Sequence, residues 1–374
     1  MIANRLKYKG LIMLNVATVF SGIGAVEQAL KQLKVKYKIK FACDNGERYL
    51  KLTYDEICEL TSGLSKQEKE KKIIEIYNET KKENLVKKSY LANYSNELES
   101  WYEDIRFLDG TEYNGKIDLL VGGSPCQSFS TYGKKMGLED VRGTLFYDYA
   151  RLIKESQPKV FIFENVSGML THDHGHTWSV IQDVFKSLNY TVTPKVLNAQ
   201  EYGLPQMRKR LFVLGVREDL NLNITFPPDK VELTSFAEDY LESYVDNKYY
   251  LPFKGFRYVT EPERNEGRAR VNRSIIGCQT ANQQFNWTGD FRIESPQKRH
   301  IEDQRIYVGE YNGRPAVARK LTPRECLNLM GFDSFNIVVP DQVMYRQAGN
   351  SIAVPVLKCI LSNILEALNG EMVY

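Results

Sequence analysis

The sequence predicts an α/β fold: a mainly parallel sheet flanked by helices, with a smaller irregular and β domain beside it. Three observations predict it. The apolar run Leu14 to Phe20 ends in a glycine turn and is followed by residues at helical spacing. The run Lys116 to Val121 is short and mostly apolar, which reads as a buried parallel strand, and it too ends in glycines. Between 218 and 318 the helical period disappears, and prolines, aromatics and arginines alternate.

A chain of 374 residues, 43% hydrophobic, can bury a large core in one or two domains. No run approaches the ~20 apolar residues of a membrane span, so no membrane partner is expected. The basic stretch Met1 to Lys9 lacks the long apolar core and small-residue cleavage site of a secretory signal. Met13 stands just before the first strand as an alternative start to Met1. A net charge of +3 excludes a globally basic nucleic-acid coat but not a basic cleft. Cys43, Cys58, Cys126, Cys278, Cys326 and Cys359 show no paired spacing, which argues against structural zinc and a disulfide framework. A reducing cytoplasm fits and would keep Cys126 a free thiol.

In chain order, Leu14 to Phe20 is the first strand. Ser21-Gly22-Ile23-Gly24 follows, and Ala25, Val26, Ala29, Leu30 and Leu33 mark a helix. Strand, glycine turn and helix make a nucleotide-binding arrangement, because glycines admit a ligand to the backbone and the helix N-terminus offers free N–H groups. The full dinucleotide fingerprint is missing, which disfavours a nicotinamide oxidoreductase. A second strand, Lys38 to Cys43, ends in Asp44, a position that commonly takes ribose hydroxyls; a surface aspartate is the plainer alternative.

Asp55 to Ser100 is rich in lysine and glutamate, with Ile73, Ile74, Ile76 and Tyr77 inside it. It reads as exposed helices with charged outer faces, a solvated surface rather than a DNA contact. Asp104-Ile105 fits the acidic end of a third strand. Lys116 to Val121 ends in Gly122-Gly123-Ser124-Pro125, where the chain must turn sharply, and Cys126 is the first residue beyond. Ligands sit past the carboxyl ends of strands in open α/β sheets, although a lone cysteine is more often a buried structural one.

Thr144 to Glu155 is helical and Lys159 to Phe163 a strand, with Glu164-Asn165-Val166 at its carboxyl end. Thr177 to Leu188 is a helix; Tyr190 to Leu197 and Leu211 to Val216 complete the sheet. His172, His174 and His176 alternate through a turn without matched carboxylate or cysteine ligands, so no metal is expected. From 218 to 318, arginines such as Arg257, Arg268, Arg270 and Arg273 lie among Tyr, Phe and Trp, which suits phosphate and base-edge contact. Leu321 to Met330 is a helix capped by Thr322 with Pro323 in its first turn, and Val354 to Leu368 is the last helix.

Ser124-Pro125-Cys126-Gln127-Ser128-Phe129-Ser130 resembles the nucleophile loop of the DNA cytosine-5 methyltransferases, of bacterial restriction-modification type. The family's other motifs occur in its order: Val19-Phe20-Ser21-Gly22-Ile23-Gly24, Arg142-Gly143-Thr144-Leu145-Phe146, Glu164-Asn165-Val166, Gln206-Met207-Arg208-Lys209-Arg210, Arg319 to Cys326, and Gln347-Ala348-Gly349-Asn350-Ser351. The resemblance leaves out the middle third and the stretch 55–100, which reads as an insertion. It implies a Rossmann-like methyltransferase fold dependent on S-adenosylmethionine. Residues 1–217 would form the catalytic and cofactor domain, 218–318 the target-recognition domain, and 319–374 a segment returning to complete the first.

The resemblance also implies the roles. Cys126 would be the nucleophile, by placement as well. Glu164 would bond or protonate ring nitrogen 3 of cytosine, Arg210 would meet the exocyclic oxygen, and Arg208 would support the loop. S-adenosylmethionine would lie across Phe20, Gly22, Ile23 and Gly24, with its ribose on Asp44, its adenine on Asp104 and Ile105, and the remainder near Pro125, Leu145, Asn350 and Ser351. Asn45 departs from the family, which often has a tryptophan after the ribose acid, so adenine stacking would be weaker or come from elsewhere, such as Phe20. Gln127, Ser130 and Arg142 would meet DNA from a loop hinged at Gly133, Gly137 and Gly143, and Arg268, Arg270 and Arg273 from the middle domain. The substrate expected is a flipped cytosine in a specific sequence of double-stranded DNA. A transfer-RNA cytosine methyltransferase with the same motifs is the alternative; a middle domain of about a hundred residues favours duplex readout in the major groove. A catalytically dead DNA-binding relative is disfavoured by intact Cys126, Glu164 and Arg210. A monomer in a bacterial cytoplasm is expected, with a cognate restriction endonuclease as a partner outside any stable complex.

Overall fold

The computed structural model describes residues 13–124, 145–227 and 230–370. Pro125, Cys126, Gln127, Ser130 and Arg142 lie outside the described residues. The chain forms two compact units. One comprises Met1–Leu197, Arg210–Pro228 and Lys358–Tyr374; the other comprises Asn198–Lys209 and Asp229–Leu357. The divisions expected at 217 and 318 therefore fall elsewhere. Residues 198–209 join the second unit because their polar groups are satisfied within it: Gln206 Nε2 donates to the carbonyl of Leu329 (2.7 Å), and Arg208 to that of Gln279 (2.7 Å). The stretch 319–357 follows for the same reason, since Leu329 lies within it.

The first unit is built on a seven-stranded sheet. Its strands are β1 (Leu14–Val19), β2 (Tyr37–Cys43), β3 (Trp101–Tyr102), β4 (Leu119–Gly122), β5 (Val160–Val166), β6 (Tyr190–Asn198) and β7 (Lys209–Arg217), in the order β3-β2-β1-β4-β5-β7-β6. β1 pairs in parallel with β2 and with β4, and β4 in parallel with β5. Val16, Ala17, Val19, Leu119, Leu120 and Val121 are all buried, which is why these runs carry no polar alternation. The strand order reverses between β1 and β4, so their carboxyl ends open a crevice of the kind that holds ligands in doubly wound sheets. β7 runs antiparallel to β5, which makes the sheet mixed.

Aromatic side chains bind the helices Leu145–Ser156 and His176–Ser187 to this sheet. Phe146 meets Phe163 edge-on with ring centres 5.7 Å apart, and Phe161 meets Phe185 at 4.6 Å. Each such buried ring contributes about 1.5–3 kcal/mol through the water it leaves.

The stretch 55–100 departs from expectation. It folds into the helices Tyr54–Leu60, Lys66–Glu79 and Leu85–Tyr94. Thr53 with Glu56 and Ser65 with Glu68 form capping boxes that start the first two. Their outer faces are charged, as expected, but Ile57, Ile73, Ile76 and Tyr77 form a buried cluster with Phe107, just past β3. The stretch thus buries one side in a cluster of its own while its outer faces stay charged.

The second unit holds a four-stranded sheet of β8 (Ala269–Val271), β9 (Gly289–Glu294), β10 (Gly309–Tyr311) and β11 (Arg314–Lys320), ordered β10-β11-β9-β8. Asn312 and Gly313 both adopt left-handed backbone conformations, which turns β10 into β11 as a tight hairpin. At the end of β11, Arg319 is 1% exposed and grips Glu325, 0% exposed, through two bonds of 2.8 and 3.0 Å. Glu325 also closes the capping box with Thr322 that starts the helix Pro323–Asn328. No single helix among the described residues is long and apolar enough to cross a membrane.

Removing one partner of a buried, forked ion pair strands the other charge. Arg319→Met is expected to lower stability by about 3–5 kcal/mol, and the double change with Glu325→Met to recover only part of the loss, because Glu325 also caps the next helix and Arg319 also meets Glu294. Urea unfolding midpoints of the three proteins test this, and a single variant as stable as wild type would refute it.

Candidate active site

The turn after β1 and the end of β2 are tied together. Ser21 Oγ accepts from Cys43 N (3.0 Å), and Ser21 N donates to the Cys43 carbonyl (3.2 Å). Asp44 follows directly. Its Oδ2 accepts from Gly22 N (3.0 Å) and its Oδ1 from Gly46 N (2.8 Å). Burial pushes this carboxyl up, against the pull of the two amides. A carboxylate offers about four acceptor sites, so two remain for donors such as ribose hydroxyls. Above Gly22 there is open space: the nearest atom to a Cβ placed there is the Phe20 carbonyl oxygen at 4.0 Å. Phe20 itself sits at φ 52°, a conformation that costs a non-glycine residue about 1–2 kcal/mol and that recurs at ligand sites. An open glycine turn beside an acid with spare acceptor sites fits an adenosine-type ligand. Ile23 is buried beneath the turn. Gly24, at φ 83°, lies against the Tyr94 ring, and any Cβ there would strike it.

Asp104 and Ile105 follow β3. The Asp104 carboxylate is taken up within the protein: it accepts from Tyr77 Oη (2.6 Å), Arg106 N (3.0 Å) and the Arg106 guanidinium (2.6 Å). Ile105 is buried, and Leu145 is half-buried against the aromatic core. Asn350 and Ser351 belong to the second unit, at the end of the helix Asp341–Asn350.

A second group of residues gathers at the ends of β4, β5 and β7. The antiparallel register pairs Val166 with Arg210 and Glu164 with Phe212. Alternation along a strand puts Glu164 and Arg210 on one face. They form an ion pair, Arg210 Nε to Glu164 Oε1 at 3.3 Å. The turn after β4 runs across Glu164 so closely that a Cβ on Gly123 would lie 2.9 Å from Glu164 Oε2 and 2.6 Å from its carbonyl oxygen. Only glycine fits there. Asn165 Nδ2 then clamps the carbonyl of Ser124 (2.9 Å). The chain leading to position 126 is thus fastened to the end of β5.

Arg208 is placed differently from Arg210. Its guanidinium is buried in the second unit and donates to the carbonyls of Gln279, Gly349 (3.1 Å) and Ser351 (2.5 Å). That is the position of a strut between segments. Of the three middle-domain arginines expected at DNA, Arg268 is exposed beside Glu266 and Arg273 is exposed. Arg270 is committed to Asp290 (2.7 Å), which also accepts from Gly277 N.

The family model for C-5 cytosine-specific DNA methylase matches residues 14–366. The chain belongs to this family. It is a DNA (cytosine-5-)-methyltransferase. Type II methyltransferase M1.ScrFI of Lactococcus lactis subsp. cremoris is 36% identical over 285 residues, 75% of this chain and 69% of that one. Type II methyltransferase M.HhaI of Haemophilus parahaemolyticus is 34% identical over 292 residues, 74% and 88% respectively. Among solved structures, the Dnmt2 methyltransferase of S. pombe aligns with a TM-score of 0.66 over 96% of this chain and 100% of that chain. At 18% identity that likeness is one of fold.

Sequence reading missed the residues that support the methylase's glycine turn. Tyr90 and Tyr94, one helical turn apart in a lysine-rich stretch, were the available signal. Tyr94 Oη donates to Gln28 Oε1 (2.9 Å), and Tyr90 Oη to Glu27 Oε1 (2.6 Å). Glu27 lies in the helix after the turn, fully buried, with Thr18 Oγ1 at 3.2 Å. Burial, with Glu97 adding repulsion, pushes its carboxyl up to about 7, against 4.5 for an ordinary glutamate. The folded state therefore favours the protonated acid. Its full contribution is present below 4.5 and is lost as pH rises through 7, on the order of 3 kcal/mol in all. Glu27→Gln should remove this dependence, so its melting temperature relative to wild type should climb between pH 5 and pH 8. Parallel melting curves across that range would refute the assignment.

Proposed function

We propose that this methylase acts on a cytosine flipped out of a specific duplex DNA sequence, through a covalent adduct of Cys126. The observation that carries the reading is the meeting of Glu164, Arg210 and Gly123. An acid–guanidinium pair stands at the strand ends, and the turn that leads to Cys126 crosses it without room for a side chain. The family uses S-adenosylmethionine, which when bound supplies an electrophilic methyl group on a positively charged sulfur. Phe20, Gly22, Ile23 and Gly24 would hold it, with Asp44 on the ribose. Because the Asp104 carboxylate is engaged with Tyr77 and Arg106, its contribution would pass through the placing of Ile105.

Carbon 5 of cytosine is a poor nucleophile. Addition of the Cys126 thiolate to carbon 6 forms the sulfur–carbon bond and moves the carbon 5–carbon 6 electron pair into an enamine. Glu164 favours this once it carries a proton, by donating a hydrogen bond or that proton to ring nitrogen 3. Arg210, held by Glu164, is aimed to meet the exocyclic oxygen. Once carbon 5 carries the methyl group, loss of its proton returns the electron pair to the ring and expels the Cys126 sulfur as thiolate. Arg208 would act as a strut for this site rather than in the chemistry. Exposed Arg268 and Arg273 suit phosphate or base contact, with Arg270 as their internal support through Asp290. The names of the relatives, type II methyltransferases, support a place in a restriction-modification system with a separate endonuclease.

Fluorine at carbon 5 cannot leave as a cation, so the adduct cannot resolve. Duplex DNA carrying 5-fluorocytosine at the target should trap the protein in a complex that needs S-adenosylmethionine and survives a denaturing gel. Cys126→Ser should form none while still binding DNA and donor, since a serine hydroxyl is far less ionised at neutral pH. An adduct that persists in Cys126→Ser, or that maps to another cysteine, would overturn the mechanism. Tritiated methyl incorporation into transfer RNA but not duplex DNA would overturn the substrate.

A further inference from the structure

The helices between β2 and β3 have no part in the reaction as derived above. Asn84 starts the third of them and is buried. Its Oδ1 accepts from Lys87 N (2.9 Å), the ordinary bond of a helix cap. A cap needs only that acceptor. The Nδ2 group points the other way and donates twice, to the carbonyl of Asp44 (2.8 Å) and to Glu103 Oε2 (2.9 Å). The Asp44-to-Gly46 loop lies directly on this side chain, since a Cβ on Gly46 would overlap the Asn84 carboxamide. Glu103 in turn holds Lys87 Nζ at 2.9 Å and forms an ion pair with Arg48, at the far end of the same loop.

We infer that Asn84 is a positioning residue for the methyl-donor site: it fixes the loop that carries Asp44, and through it the helical insertion acts as the support of that site. The inference rests on the reading of Asp44 as a donor-site acid. Among the described residues no side chain orients the Asp44 carboxylate; its two bonds are to the amide of Gly22, in the turn after β1, and to that of Gly46, which moves with the loop. A loop released from Asn84 still presents a carboxylate, but over a wider range of positions. The donor should then bind more weakly, with the reaction at saturation little changed.

Calorimetric titration of S-adenosylmethionine into the full chain tests this. The variants are Asn84→Ser and Asn84→Asp, which keep a cap acceptor for Lys87 N but lack the two donors, with Lys71→Ala on the exposed face of the insertion as control. Each Asn84 variant should raise Kd about tenfold or more, on the scale of one to two lost hydrogen bonds. At saturating donor, methyl incorporation into unmethylated genomic DNA should stay within about twofold of wild type and the KM for DNA should not move, since the lost interaction is one of donor binding alone. Folded Asn84 variants with the wild-type Kd, or with kcat lowered at an unchanged Kd, would overturn the inference. Asp44→Ala binding as tightly as wild type would instead overturn the donor-site reading beneath it.

Discussion

Four carboxylates converge at the ends of β1, β2 and β3, and the first unit depends on keeping them there. Glu27, Asp44, Glu103 and Asp104 are all buried or half-buried, and each loses water that a charge needs. The protein answers each one separately. Arg48 and Lys87 meet Glu103, Arg106 and Tyr77 meet Asp104, and Tyr90 meets Glu27. Asp44 receives only amide donors, and so it keeps acceptor sites for a ligand. Much of the answering chemistry comes from the helical insertion, which supplies Tyr77, Asn84, Lys87 and Tyr90. An acid held by amides alone is stable here because the carboxylates beside it are satisfied by other groups.

The carboxyl ends of β4 and β5 obey a different constraint. A purely parallel sheet brings side chains to its carboxyl edge one strand at a time, each separated by a crossover. The antiparallel run of β7 against β5 breaks this rule and delivers Arg210 to the same edge from the opposite direction. Glu164 thereby gains a cationic partner across one strand spacing. Gly123 then lets the turn after β4 pass over Glu164. The chemistry assigned to Cys126 and the geometry seen at Glu164 are linked by that close passage of backbone.

In the second unit buried arginines do structural work of another kind. Arg319 joins the end of β11 to the start of the next helix, and Arg208 gathers three carbonyls from distant segments. Arginine suits this because its fixed fork of donors satisfies several acceptors at once and stays charged at any pH the protein meets. Both terminal nitrogens of Arg208 are committed to those carbonyls. This separates Arg208 from Arg210, two residues apart in a single motif.

The sequence alone determined the sheet's buried strands, the glycine turn after β1, the acids at strand ends and the family, because these depend on local apolar runs and on short motifs. Leu14–Val19, Lys116–Val121 and Thr322-Pro323 each carry their own signal within a few residues. The Asn312-Gly313 pair is a local hairpin signal of the same kind. Only the tertiary structure decided that the lysine- and glutamate-rich stretch after Asp55 is half interior, that Asn84 reaches back 40 residues to Asp44, and that Arg208 and Arg210 serve different ends. Those outcomes turn on which groups meet across long separations. A charged residue reads the same in a sequence whether water or a buried partner satisfies it, and burial is settled by the packing of the whole unit.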